Sequence, residues 1–137
     1  MTDRTVNIAI IEDEEDILTL YRDYLSGRGY KVTRYLYANN LIRDFDKVRP
    51  DVCLIDYRLP GYKNGIDSAI EILNRYPSMP ILIITAYTPV NEELSKNSKL
   101  HGKNIGVLLK PVRLSEIEKA IIELIDKTNH ETNIPVD

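Results

Sequence analysis

The feature that most constrains this chain is a regular alternation of short apolar runs with longer stretches of helical period. Five runs read as strands: Val6 to Ile11, interrupted only by Asn7; Tyr30 to Leu36, where Lys31 and Arg34 suggest partial exposure; Val52 to Ile55; Ile81 to Ile84; and Val107 to Leu109. Almost wholly apolar strands suit a sheet covered on both faces. Strands that alternate with helices pair in parallel through crossover connections.

Right-handed crossovers leave few topologies at this length. The expectation is an α/β fold: a flavodoxin-like doubly wound five-stranded parallel sheet, order 2-1-3-4-5, with five helices. The first helix carries Ile17, Leu18, Tyr21, Tyr24 and Leu25 on one face, and Gly27 and Gly29 stop it. Asn39 or Asn40 can cap a second helix that buries Ile42, Phe45 and Val48 before Pro50 closes it. Ile66, Ala69, Ile70 and Leu73 mark a third, ended by Tyr76-Pro77. A capping box from Ser115 to Glu118 opens the last, which buries Ile117, Ile121, Leu124 and Ile125. The fourth segment, Asn91 to Asn104, starts well with Glu92 and Glu93 but offers little beyond Leu94 and Leu100 to bury. It should be a short or mobile helix. After Lys127 the sequence TNHETNIPVD is polar and without helical period. The expected organisation is one domain over residues 5–127, then a polar C-terminal tail over 128–137, either a frayed end or the start of a linker.

Composition excludes several function classes. With 137 residues, 43% hydrophobic and 28% charged, the chain has the balance of a single globular domain. Its formal charge of -3 comes from 21 acidic and 18 basic side chains with no Lys/Arg run, which argues against nucleic-acid binding. No apolar stretch approaches a membrane span, and the N-terminus lacks a signal-peptide layout. The single cysteine, Cys53, rules out an internal disulfide framework and suits a reducing compartment, so a cytoplasmic protein is expected. Cys53 reads as inert core; His101 and His130 lack partners at metal-ligand spacing and read as surface residues.

Ligands of an open parallel sheet bind at the carboxyl ends of its strands. Glu12 and Asp13 follow the first strand, Asp56 the third, Thr85 the fourth and Lys110 the fifth. Three carboxylates, one hydroxyl and one ammonium are therefore expected on one rim. Close carboxylates repel one another, and a cation relieves the repulsion. Oxygen donors with few protein ligands suit Mg²⁺, or another divalent cation such as Mn²⁺. Such a set fits phosphoryl transfer, where catalysis is mostly positioning and charge neutralisation. Asp56, ending a buried strand at the centre of the rim, is the best nucleophile, since a carboxylate can form an acyl phosphate.

Over residues 5 to 127 the chain resembles the response-regulator receiver family of two-component systems. The resemblance rests on IIEDE after the first strand, LIDYRLP after the third, IITAY after the fourth and LLKP after the fifth. It implies that Glu12 and Asp13 are the acidic pair and that Asp56 is the phosphoacceptor. The Arg58 carbonyl would complete the metal ligands, and Thr85 and Lys110 would hold phosphoryl oxygens. It also implies a cis peptide between Lys110 and Pro111. The implied function is a phosphorelay switch loaded by a histidine kinase or phosphotransfer protein. It would act on an unidentified downstream protein, as a monomer or a phosphorylation-dependent dimer, with no direct role for nucleic acid or membrane.

Three positions depart from the family pattern. Val107 stands where the family usually carries an aromatic residue whose rotamer reports the switch. The loop after Asp56 is one residue longer before Gly65, a change that Gly61 can offset. Arg58 and Tyr87 flank the site, and large side chains there would restrict the attacking water and prolong the phosphorylated state. The alternative function is a degenerate receiver that binds partners without phosphorylation. A flavodoxin-type carrier would need a Ser/Thr/Gly-rich phosphate loop where this chain has five consecutive acids, Glu12 to Asp16. An aspartyl phosphatase usually carries a second aspartate at position 58, which is arginine here, and no P-loop is present.

Overall fold

The computed structural model describes residues 5–58 and 64–132, with side chains described through Asn129. Its strands are β1 (Asn7–Ile11), β2 (Lys31–Tyr35), β3 (Val52–Asp56), β4 (Ile81–Thr85) and β5 (Ile105–Leu109). Its helices are α1 (Glu15–Gly27), α2 (Ala38–Val48), α3 (Gly65–Arg75), α4 (Val90–Lys96) and α5 (Leu114–Thr132), with a 3₁₀ turn at Ser98–Leu100. The strands form one sheet in the order β2-β1-β3-β4-β5, every neighbouring pair parallel, as the alternation requires.

The period-2 direction of strand side chains splits the core into two layers. Ala9, Ile11, Cys53, Ile55, Ile81 and Ile83 face α2, α3 and α4. Ile8, Ile10, Val52, Leu54, Leu82 and Ile84 face α1 and α5. Most of these are completely buried, and each large aliphatic contributes about 1.5–3 kcal/mol by leaving water. Burial also pushes the Cys53 thiol up to about 12, which leaves it inert.

Several helix boundaries move from their expected places. The α2 helix begins at Ala38, not after Asn39 or Asn40, and Tyr37 at its N-cap makes no side-chain capping bond. Burial of Ala38 and Leu41 decides the start, because packing an apolar face outweighs a cap. In α5 the Arg113 amide donates to Glu116 Oε1 (3.1 Å), two residues earlier than the expected Ser115–Glu118 box. Glu118 is engaged elsewhere: it accepts from Tyr30 Oη at 3.0 Å and pairs with Arg28 Nε at 2.5 Å, tying α5 to the end of α1. A capping box that sequence reading overlooked opens α3, between Asn64 and Asp67.

The boundary at Lys127 is no structural break. Helix α5 continues to Thr132, because Asn104 donates to both the Leu124 carbonyl (2.9 Å) and Thr128 Oγ1 (2.5 Å), and each further helical residue adds a backbone bond. Residues 133–137 of the expected tail lie outside the described residues. Strand β5 starts at Ile105, two residues before Val107, because Gly106 gives no apolar signal yet packs between Leu82 and Leu124.

The fourth helix is short, as expected. It has seven residues, with Val90 buried and Leu94 only half-buried, before the chain turns through Ser98–Leu100. So little apolar contact leaves local opening cheap. Amides of residues 92–100 should exchange with solvent orders of magnitude faster than those of β4, measured by hydrogen–deuterium exchange.

Candidate functional site

Parallel registration aligns the carboxyl ends of the central strands. Ile11 sits beside Ile55, Asp56 beside Ile84, and Thr85 beside Leu109, so the residues that follow emerge along one edge. Asp13, Asp56, Arg58, Thr85 and Lys110 share the wall of one cleft of about 570 Å³ there.

Asp56 ends β3 with its side chain 13% exposed. Its Oδ1 accepts from the Arg58 amide at 3.1 Å, and its Oδ2 lies 3.4 Å from Lys110 Nζ. A tight charge-assisted bond would be nearer 2.8 Å, so the ammonium neutralises Asp56 while keeping freedom to shift. Lys110 is fixed at its backbone, donating its amide to the Thr85 carbonyl at 2.8 Å, and the Lys110–Pro111 peptide is cis. Thr85 Oγ1 accepts from the Tyr87 amide at 3.0 Å, which leaves the Thr85 O–H as a donor at the cleft wall.

Glu12 lies deeper than the other acids, 2% exposed. Its Oε2 accepts from the amides of Asp13 (2.9 Å) and Glu14 (3.2 Å). With Tyr21, Asp56 and Lys110 it lines a small void of about 10 Å³, room for roughly one water. Burial pushes its carboxyl up to about 7; the Glu14 amide pulls against this, and the Asp56 charge adds to it. Among the described residues no three metal-ligating side chains converge as a ready-made cage. Within the expected cluster of Glu12, Asp13 and Asp56, the Glu12 carboxylate is turned onto the amides of Asp13 and Glu14. The remaining donors, Asp13 and Asp56 with nearby main-chain oxygen, fit a hard cation that keeps several waters and takes one or two carboxylates.

The return of the chain after Asp56 is constrained by close backbone approach. Arg58 and Asn64 form an antiparallel bridge, and the Gly65 amide donates to the Tyr57 carbonyl at 2.7 Å. A Cβ on Gly65 would lie 2.7 Å from the Asp56 carbonyl oxygen and 2.8 Å from Tyr57 Cα. Leu59, Pro60 and Gly61 of the intervening loop lie outside the described residues, as does the side chain of His130. His101 is exposed, with its Nε2 3.0 Å from the Ser95 carbonyl.

Of the two residues expected to flank the cleft, only Arg58 lines it. The Tyr87 ring stacks on Tyr57, with centroids 4.5 Å apart, and its hydroxyl donates to Glu93. Sequence reading missed this group; a tyrosine placed directly after Asp56 and another two residues after Thr85 were its only visible signals.

The sequence profile of the response regulator receiver domain matches residues 8–122, most of the chain. This chain belongs to the response-regulator receiver domain family. The transcriptional regulatory protein ZraR of Klebsiella oxytoca is 30% identical over 131 residues, covering 93% of this chain and 28% of that protein. RprY of Bacteroides fragilis is 28% identical over 136 residues, covering 96% and 56%. The receiver thus spans little more than half, or less, of these curated relatives. A CheY-like receiver from Methanospirillum hungatei superposes with a TM-score of 0.79 at 21% identity, covering 93% of this chain and 99% of that one. The receiver domain of a sensor histidine kinase from Pseudomonas aeruginosa, which holds a magnesium ion in its active-site cleft, superposes at 0.73 with 26% identity, covering 90% and 99%. Magnesium and phosphoaspartate are typical of this family. No helix among the described residues is long and apolar enough to cross a membrane.

Two consequences are measurable. Gly65→Ala should destabilise the receiver by about 1–3 kcal/mol, read by urea denaturation, because the close neighbours are backbone and cannot move aside. The raised Glu12 carboxyl holds its proton more tightly in the folded state than in the unfolded state, where 4.5 is usual. Its contribution to stability is complete below 4.5 and is lost as pH rises through about 7. Metal-free receiver should lose stability across that window, and Glu12→Gln should flatten the loss.

Proposed function

We propose that this receiver is a cytoplasmic phosphorelay switch that accepts a phosphoryl group on Asp56. The observation that carries this reading is the placing of the Asp56 carboxylate within 3.4 Å of Lys110 Nζ, in a cleft shared with Asp13, Arg58 and Thr85. A histidine kinase or phosphotransfer protein would supply the group as phosphohistidine. An Asp56 carboxylate oxygen attacks phosphorus; the new O–P bond forms as the P–N bond breaks, and the electron pair returns to the imidazole, which takes up a proton.

Asp13 and Asp56, with the Arg58 carbonyl, would hold the divalent cation, and Glu12 supports it from beneath through water or its own carboxylate. A bound Mg²⁺ would neutralise charge on the acidic and phosphoryl oxygens. Lys110 follows that charge, because its loose contact with Asp56 lets Nζ move onto a phosphoryl oxygen. Thr85 donates its hydroxyl to another. Arg58, at the cleft wall, restricts the approach of water. The signal would then pass to a partner protein; the net charge of -3 argues against direct nucleic-acid binding by the domain. Its working state would be a monomer or a phosphorylation-dependent dimer.

Incubation with acetyl phosphate and Mg²⁺ should add the mass of one phosphoryl group, and Asp56→Asn should abolish the adduct. Chelating the cation should slow the gain. A receiver that never gains the adduct, yet still binds a partner, would be the phosphorylation-independent module instead.

A further inference from the structure

We infer that Tyr57, Tyr87 and Glu93 form a clamp that positions the Thr85 hydroxyl and ties it to helix α4. Glu93 lies on α4, and both tyrosines donate to its carboxylate: Tyr57 Oη to Oε2 at 2.6 Å, Tyr87 Oη to Oε1 at 2.8 Å. The two rings stack with an interplanar angle of 18°. Asn64, at the start of α3, donates its Nδ2 to Tyr57 Oη at 3.2 Å. Each tyrosine is bound by the chain to a residue of the cleft. Tyr57 directly follows Asp56, and the Tyr87 amide is the donor to Thr85 Oγ1.

Geometry makes this a coupling and not only a brace. The Tyr87 amide is held by Thr85, its ring by Tyr57 and its phenol by Glu93. When the Thr85 hydroxyl swings toward a group on Asp56, the Tyr87 amide either follows or loses its acceptor. An unpaired amide is costly, so the backbone at 86–87 follows. That shift pulls on Glu93, and α4 has few other anchors: Val90, the half-buried Leu94 and the turn at Leu100. The position of Thr85 and that of α4 thus belong to one equilibrium. The phenols persist as donors: burial and then the bond to Glu93 push Tyr57 upward, the bond to Glu93 pushes Tyr87 upward, and the two bonds hold the Glu93 carboxyl below its usual range. Val107 packs against the same apolar layer as both tyrosines but brings no polar atom, so the hydrogen-bonded link runs through Tyr87.

This inference deepens the phosphoacceptor reading, yet its first test needs no phosphate. In the full chain, Thr85→Val and Glu93→Gln should each raise amide exchange across Val90–Lys96 by roughly fivefold, while β1 and β3 amides keep wild-type protection. In the double variant the effects should not add, because one link is already broken. A merely structural Glu93 would give additive effects; additivity, or unchanged α4 exchange in Thr85→Val, overturns the clamp. The second test compares α4 exchange with and without acetyl phosphate and Mg²⁺. Wild type should respond, whereas Tyr57→Phe/Tyr87→Phe should gain the adduct on Asp56 without the response; an equal response in both also overturns the clamp. Absence of any adduct in wild type would sink the phosphoacceptor reading and leave the first test to decide the clamp.

Discussion

The molecule depends on the parallel register of β1, β3, β4 and β5. Antiparallel neighbours would send successive strand ends to opposite edges of the sheet, and the acids of β1 and β3 would never meet the lysine after β5. Parallel pairing requires crossover helices on both faces, and those helices must be fed by strands apolar on both sides. The all-buried sequence of β4, Ile81 to Thr85, serves this architecture directly. Packing and chemistry therefore share one cause: the same ladder that buries the isoleucines delivers Asp56, Thr85 and Lys110 to a common cleft.

That delivery concentrates negative charge where water is scarce. Glu12 sits beneath Asp56 and beside its own helix entry, and the fold answers in three ways. Two backbone amides turn toward the Glu12 carboxylate, burial raises its proton affinity, and Lys110 stands within reach of Asp56. None of these satisfies the site fully. The lysine contact is long, and Asp13 remains exposed at the cleft wall. Such residual imbalance favours a ligand that brings positive charge, or a positive charge that brings an anionic group with it. A fully neutralised pocket would hold its own state too firmly to respond.

Most of the fold was legible because it is written in periodicity. Uninterrupted apolar residues at Val52–Ile55 and Ile81–Ile84 left no other assignment, and position at a strand end was enough to bring Asp56, Thr85 and Lys110 together. Helix starts were less legible, since a cap is a local preference that burial overrides. Asn39 and Asn40 look like caps, but Leu41 is buried and sets the start of α2. Glu118 looks like half of a capping box, but its carboxylate is claimed by Arg28 and Tyr30, both distant in sequence. The end of α5 was missed because Asn104 reaches Thr128 across 24 positions, a contact that no helical period announces. Glu12 follows the first strand, as its place in the sequence indicates, yet it lies below the cleft, and its turn onto the amides of Asp13 and Glu14 depends on backbone direction alone.

The aromatic group around Glu93 shows a further limit of local reading. Tyr57 and Glu93 are 36 residues apart, and nothing in either neighbourhood marks them as partners. Their meeting follows from β3 and β4 lying side by side, with the chain leaving both strands toward the same edge. The short α4 then has a physical rationale. A long amphipathic helix would bury itself and be indifferent to the cleft, whereas seven residues with one buried valine can be held by a few polar bonds. Weak packing is what allows side chains next to Asp56 and Thr85 to set the position of α4, so the poorest segment of the hydrophobic pattern is the one best suited to report on the site.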